Sequence, residues 1–241
     1  MRKIDLQKER VFENKKQTNK NIRNSQHKFY WATEIPNRKH NLKTYNKISG
    51  KEILEIGCSN GSAACMYTKY CKSYFGLDIS DKAIKIARSL KIKNAKFLCV
   101  DAHNIPTEDS KFDCVIVNSL LHHLDLKKSL QEIHRVTKKD GYLIFKEPLG
   151  TNTFFQIYRN LTPNARTPDE KPFQFKEIDL LENYYYLEDI QYFGFLNIIS
   201  AFTRSLFLRE ILTTLDYYLS KTFLRFYFWQ FSGFAKKLTI N

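Results

Sequence analysis

The chain has 241 residues, 43% hydrophobic and 27% charged, which is long enough for a sizeable core and too apolar for a disordered tail. No stretch approaches the roughly 18 uninterrupted apolar residues of a membrane span, and the opening MRKIDLQKER has no apolar signal segment, so a cytoplasmic protein without a secretory leader is expected. Five cysteines, an odd count with no C-x-x-C, argue against a disulfide framework or a zinc ribbon.

The charge is uneven. There are 39 Lys and Arg against 25 Asp and Glu, a net +14, and residues 1–51 hold 14 of the cations but only 4 of the acids. The basicity therefore belongs to an N-terminal extension, residues 1–49. Such an arm can meet an anionic surface, a lipid headgroup or a phosphorylated substrate, or simply keep the chain soluble. Residues 1–28 read as one or two polar helices. Phe29-Tyr30-Trp31 interrupts the arm and is expected to pack, as an anchor or as part of a lid.

From residue 50 to 150 apolar runs alternate with amphipathic ones. Strands are expected at Ile53–Ile56, Ser73–Asp78, Lys96–Val100, Cys114–Val117 and Tyr142–Phe145, with helices at Ser62–Cys71, Asp81–Leu90 and Leu126–Val136. This βαβα series implies a doubly wound, mainly parallel α/β sheet. Residues 150–191 read as loops and short helices, Tyr192–Phe202 as a strand and Arg204–Thr222 as a helix. The alternation over Arg225–Lys236 suits a final antiparallel strand, whose aromatic residues are expected to fill sheet core rather than face a membrane. Residues 151–241 would thus add a cap and the last strands to a single domain.

Ligands of open α/β sheets bind at the carboxyl ends of the strands. Three sets of residues fall there. Glu55-Ile56-Gly57-Cys58-Ser59-Asn60-Gly61 follows the first strand, and its small residues allow close backbone approach. Asp78 follows the second and can accept both hydroxyls of a ribose. Asp101-Ala102 follows the third and can read an adenine amino group. The dinucleotide fingerprint G-x-G-x-x-G fails, because Ser59 holds its middle position and Ser62 follows Gly61. Glu55 can face an ammonium group, which favours a ligand with a nucleoside at one end and an amino acid at the other.

The stretches EILEIGCSNG (52–61), YFGLDIS (74–80), KFLCVDAHNIP (96–106), KFDCVIVNSLLHHL (111–124) and EIHRVTKKDGYLIFKEP (132–148), in this order and spacing, resemble a class I S-adenosylmethionine-dependent methyltransferase of the small-molecule type. The resemblance implies a Rossmann-like seven-stranded sheet with the last strand antiparallel, under a helical cap. It implies S-adenosylmethionine as cofactor and S-adenosylhomocysteine as product. By the same resemblance Glu55, Gly57, Cys58, Ser59 and Gly61 shape the methionine and ribose site, Asp78 binds the ribose, Ile79 lies beside the adenine, Asp101 and Ala102 contact it, and Asn118 meets the methionine amine through its backbone. Ser59 departs from the usual middle glycine.

On the acceptor side, Asn118-Ser119-Leu120-Leu121 lacks the N/D-P-P-aromatic motif of base N-methylation, so a small-molecule acceptor is expected rather than nucleic acid. Tyr30, Arg159, Arg166, Asp169 and Glu170 could orient a polar or anionic acceptor. The expected reaction is O-methylation of a glycan or lipid-linked precursor. The rivals are methylation of a quinone or other lipid at the inner membrane surface, and a non-catalytic nucleoside-binding module. His123, His122 and Glu147 are candidate bases. The spacing shows no metal motif, so no metal is expected.

Overall fold

The protein is described here by a computed structural model covering residues 5–19, 27–165, 167 and 170–239. A seven-stranded sheet has the order β3-β2-β1-β4-β5-β7-β6. Its strands are β1 (Glu52–Ile56), β2 (Ser73–Asp78), β3 (Ala95–Cys99), β4 (Phe112–Asn118), β5 (Thr137–Pro148), β6 (Tyr185–Phe193) and β7 (Gln230–Lys237). Only β7 runs antiparallel to its neighbours, β5 and β6. The helices are α1 (Leu6–Thr18), α2 (His27–Ala32), α3 (Glu34–Ile48), α4 (Ala64–Tyr67), α5 (Asp81–Ser89), α6 (Leu126–Val136), α7 (Thr153–Leu161), α8 (Phe175–Glu182), α9 (Ser200–Thr203) and α10 (Leu206–Leu219).

The central strands are buried on both faces, which is why β1 and β4 read as continuous apolar runs. Leu130, Ile133 and Val136 of α6 and Leu181 of α8 join one core beneath the sheet. Ile48 of α3, Ala64 and Tyr67 of α4, and Ile84 and Ala87 of α5 join the core on the other side. Caps set the helix starts: the Ser80 hydroxyl accepts from Ala83 N and the Asp125 carboxylate from Lys128 N. Phe228, Phe231 and Phe234 at the aromatic C-terminal end are buried, as core residues should be. Among the described residues no helix is long and apolar enough to cross a membrane.

Several boundaries differ from the sequence reading. The strand expected at 192–202 lies earlier, because Gly194 turns the chain with φ +89 and residues 196–203 coil into 3-10 and α turns. On this edge strand the register shifts between Glu188 and Gln191, with Asp189 at φ 49, and that bulge hides the period-two pattern. The helix expected at 62–71 shrinks to the single turn of α4. Residues 223–227 form a 3-10 turn rather than the start of the last strand. Helix α3, which the basic composition concealed, buries His40, Thr44 and Ile48 against the domain.

The buried Asp216 of α10 accepts from the backbone amides of Phe195 (3.0 Å), Leu196 (2.7 Å) and Asn197 (3.3 Å), and so ties the cap to the end of β6. Truncation would strand three amides in a dry site. Asp216→Ala is expected to cost about 3 kcal/mol, read from the urea midpoint; a cost under roughly 1 kcal/mol would mean that water replaces the carboxylate.

Candidate active site

The turn after β1 is built by three left-handed residues, Gly57, Ser59 and Gly61, the last at φ +77. Gly57 sits at φ +80, and a Cβ there would stand 3.0 Å from Leu120 Cδ2, so the close approach of the β4 loop requires glycine. Ser59 sits at φ 48, a conformation that costs an L-residue about 1–2 kcal/mol. The strain is held in place by bonds: Ser59 N donates to Asp78 Oδ2 (2.8 Å) and Gln17 of α1 donates to the Ser59 hydroxyl (3.2 Å). Ser80 N donates to the other Asp78 oxygen, also at 2.8 Å. Burial pushes the Asp78 carboxyl above its ordinary value even against these amides.

A cavity of about 240 Å³ opens at these strand ends. Gly57, Ser59, Asp78, Ile79, Asp101, Ala102 and Asn118 all line it, together with Ser119, Leu120 and His123. One face is supplied by Leu6, Glu9, Glu13 and Lys16 of α1, which the sequence reading missed because the helix has no apolar stripe. Helix α1 is fastened by polar contacts: Arg10 donates to Ile79 O, and Asn14 bridges the Ser80 hydroxyl and Asp81. One Asp101 oxygen accepts from His103 N (3.0 Å) and lies 2.6 Å from His103 Nδ1, so it is partly spent on holding its own loop.

Glu55, Cys58 and Gly61 do not line the cavity. Glu55 lies buried beneath it, where the Tyr74 hydroxyl donates to it at 2.5 Å and burial pushes its carboxyl up to about 7. Cys58 packs in the apolar core, and burial raises its thiol. Gly61 lets the turn lie on α5, where an added Cβ would stand 3.0 Å from Ala87 Cβ.

A second cavity, about 70 Å³, adjoins the first through Ser119 and His123. Phe29, Tyr30, Phe155, Tyr158 and Trp229 supply aromatic wall, and His122, Arg159 and Glu170 supply polar groups. Phe155 stacks on Trp229 with centroids 4.4 Å apart. His122 Nδ1 lies 2.6 Å from Glu147 Oε2, and His123 Nδ1 lies 3.2 Å from Glu9 Oε1. Arg159 donates to Glu170 at 2.8 Å, as charges in a structured loop pair with each other. Glu147 lines neither cavity; it is fully buried, its other oxygen accepts from Leu120 N and Leu121 N, and burial pushes it up to about 7. Arg166 and Asp169 lie outside the described residues. His122, His123 and Glu170 also present donor atoms within 4.8 Å of one another, a two-histidine, one-carboxylate set of the kind that binds Zn²⁺ or Fe²⁺. No sequence spacing revealed this set, because Glu170 arrives from a distant loop. A wider groove of about 1240 Å³ along β6 holds none of the expected site residues.

Residues 54–145 match the methyltransferase domain family. Over these residues the chain is similar to methyltransferase domains. It is 33% identical over 130 residues to phthiotriol/phenolphthiotriol dimycocerosates methyltransferase 1 of Mycobacterium ulcerans, which covers 50% of this chain and 48% of that one. It is 29% identical over 119 residues to the demethylmenaquinone methyltransferase of Thermotoga maritima, covering 48% and 52%. The chain thus spans about half the length of these curated relatives. The same fold is found in the N-methyltransferase NodS of Bradyrhizobium japonicum, solved with S-adenosyl-L-homocysteine, at a TM-score of 0.56 and 13% identity over 84% of this chain and 87% of that one.

Two outcomes follow from this geometry. Ser59→Gly relieves the left-handed strain and is expected to stabilise the domain by about 0.5–1 kcal/mol in thermal unfolding, less what glycine adds to the unfolded chain's entropy. The second concerns Glu55, whose folded value of about 7 lies above the ordinary 4.5. The unfolded chain gives up this proton first, so the stability tied to it is full below about 4.5 and is lost as pH rises to about 7. Glu55→Gln lacks that loss, so its urea midpoint should gain on the wild type across this window and hold a constant difference above it. A pH-independent difference would show that Glu55 is not held protonated.

Proposed function

We propose that this protein transfers the methyl group of S-adenosylmethionine to a hydroxyl of a small molecule with an apolar body. The observation that carries this reading is the junction of the two cavities at Ser119 and His123. In the first, Asp78 would take the ribose hydroxyls and Asp101-Ala102 the adenine, with the methionine end toward Gly57 and Asn118. In the second, the aromatic walls would hold the acceptor. The acceptor oxygen then attacks the sulfonium methyl in line. An O–CH₃ bond forms, the S–CH₃ bond breaks with its electron pair left on sulfur, and the acceptor proton passes to His123, which borders both cavities. Glu9 and Glu147 would orient the two histidines rather than take the proton themselves.

The aromatic walls favour an acceptor with an apolar or ring-bearing body, lipid-linked glycan precursors included, over a free glycan. Names among the relatives agree with this: one is a dimycocerosates methyltransferase and another a demethylmenaquinone methyltransferase.

The test is calorimetric titration with S-adenosylmethionine, S-adenosylhomocysteine and NAD, followed by methyl-labelled transfer to a prenylated hydroquinone and to a free glycan. Both adenosyl ligands should bind and NAD should not. Asp78→Ala should weaken them about tenfold or more. Label should appear on the hydroquinone. NAD binding alone overturns the reading, as does adenosyl binding without transfer to any acceptor, which leaves a nucleoside-binding module.

A further inference from the structure

Beside the aromatic cavity lies a face of exposed apolar side chains. Phe29, Phe155 and Trp229 form the cavity wall, yet their neighbours on the same segments face solvent. Phe202 of α9 and Leu206 of α10 are each 61% exposed, Phe207 is 74% exposed, and Leu161 of α7 is 76% exposed. The patch is continuous across α2, because the Phe154 and Phe202 rings lie 6.4 and 6.1 Å from the ring of Phe29. A contiguous apolar surface of this kind marks an interaction site.

Charge selects the occupant. Residues 27–32, 153–165 and 196–208 contain no Asp or Glu, in a chain with 25 such residues. Cations stand beside the patch: Lys28 Nζ lies 4.5 Å over the Phe202 ring, and the exposed Arg204 occupies the left-handed turn between α9 and α10, while the nearby Arg209 is paired with Glu34 at 3.4 Å. Aromatic and aliphatic side chains flanked by Lys and Arg match a bilayer interface, with rings at the acyl boundary and cations among anionic headgroups. We propose that this face docks on an anionic lipid bilayer and that the aromatic cavity receives its acceptor from there. Docking itself does not depend on methyl transfer; only the route of the acceptor rests on that reading.

The test is co-sedimentation of the full chain with phosphatidylcholine vesicles, with and without phosphatidylglycerol, at low and high salt. Binding is expected only to the anionic vesicles and should fall steeply with salt. The double variant Phe202→Ser/Leu206→Ser should lower the partition coefficient about tenfold or more, and Arg204→Glu about fivefold. Tyr186→Ser, at an exposed aromatic on β6, should change nothing. Affinity for S-adenosylhomocysteine and the melting temperature, measured on each variant, show that the fold is intact. Four results overturn docking: no binding, equal binding to neutral vesicles, binding untouched by the patch variants (which assigns it to the basic N-terminus), or self-association abolished by the double variant with vesicle binding retained, which makes the face an interface between copies. Intact S-adenosylhomocysteine binding alongside any of these leaves the methyl-transfer reading standing, whereas vesicle docking without adenosyl binding removes that reading alone.

Discussion

The carboxylate of Glu147, fully buried at the end of β5, holds the loop on which both cavities depend. It accepts from two successive amides of the β4–α6 loop and meets His122 Nδ1. Those contacts would ordinarily keep a carboxyl ionised and its value low. Burial outweighs them and lifts it to about 7. The loop it pins presents Ser119 and Leu120 to the first cavity and His122 to the second. Without that anchor, two amides and an imidazole would be left in a dry site, and the wall between the cavities would lose its shape.

The other side of the first cavity is held differently. Helix α1 buries almost no apolar surface, and its contacts to the β2 end are hydrogen bonds within reach of water. Such contacts are individually weak. The exception is Glu9, buried between His123 and Thr167, where the ion pair and the hydroxyl hold its carboxyl below the ordinary value against the pull of burial. A polar helix thus adds Glu9, Glu13 and Lys16 to a cavity wall whose other members come from the strand ends and their loops.

These two anchors explain what could be read in the sequence. The strands β1 and β4 were legible because both their faces are buried, so each shows an apolar run ended by glycine or a polar residue. The turn at Gly57 and the carboxylate at Asp78 were legible because a nucleoside-binding crevice demands small residues and an acceptor at fixed points on the fold. Glu55 was misplaced for the same reason: it opens the motif, but strand alternation turns it away from the crevice and toward Tyr74. Glu9, Glu13 and Lys16 were not legible at all, since a lone polar helix gives no periodic signal and its partners lie forty-two or more residues away. The bulged edge strand β6 was misread because one extra residue breaks the alternation.

The aromatic residues show how one composition serves two solvents. Phe29 and Phe155 are buried while Phe154 and Phe202, in ring contact with Phe29, are exposed. A soluble surface usually breaks such a cluster with acids and amides, and the chain does so elsewhere: α8, also on the cap side, has Glu177, Asp179 and Glu182 in its eight residues. Across the segments around Phe29 the acids are missing, and the charges are those of Lys28, Arg159 and Arg204. Core packing accounts for the inward rings of the cluster, because each fills space against another ring. It does not account for Phe207 or Leu161, which stay 74% and 76% exposed.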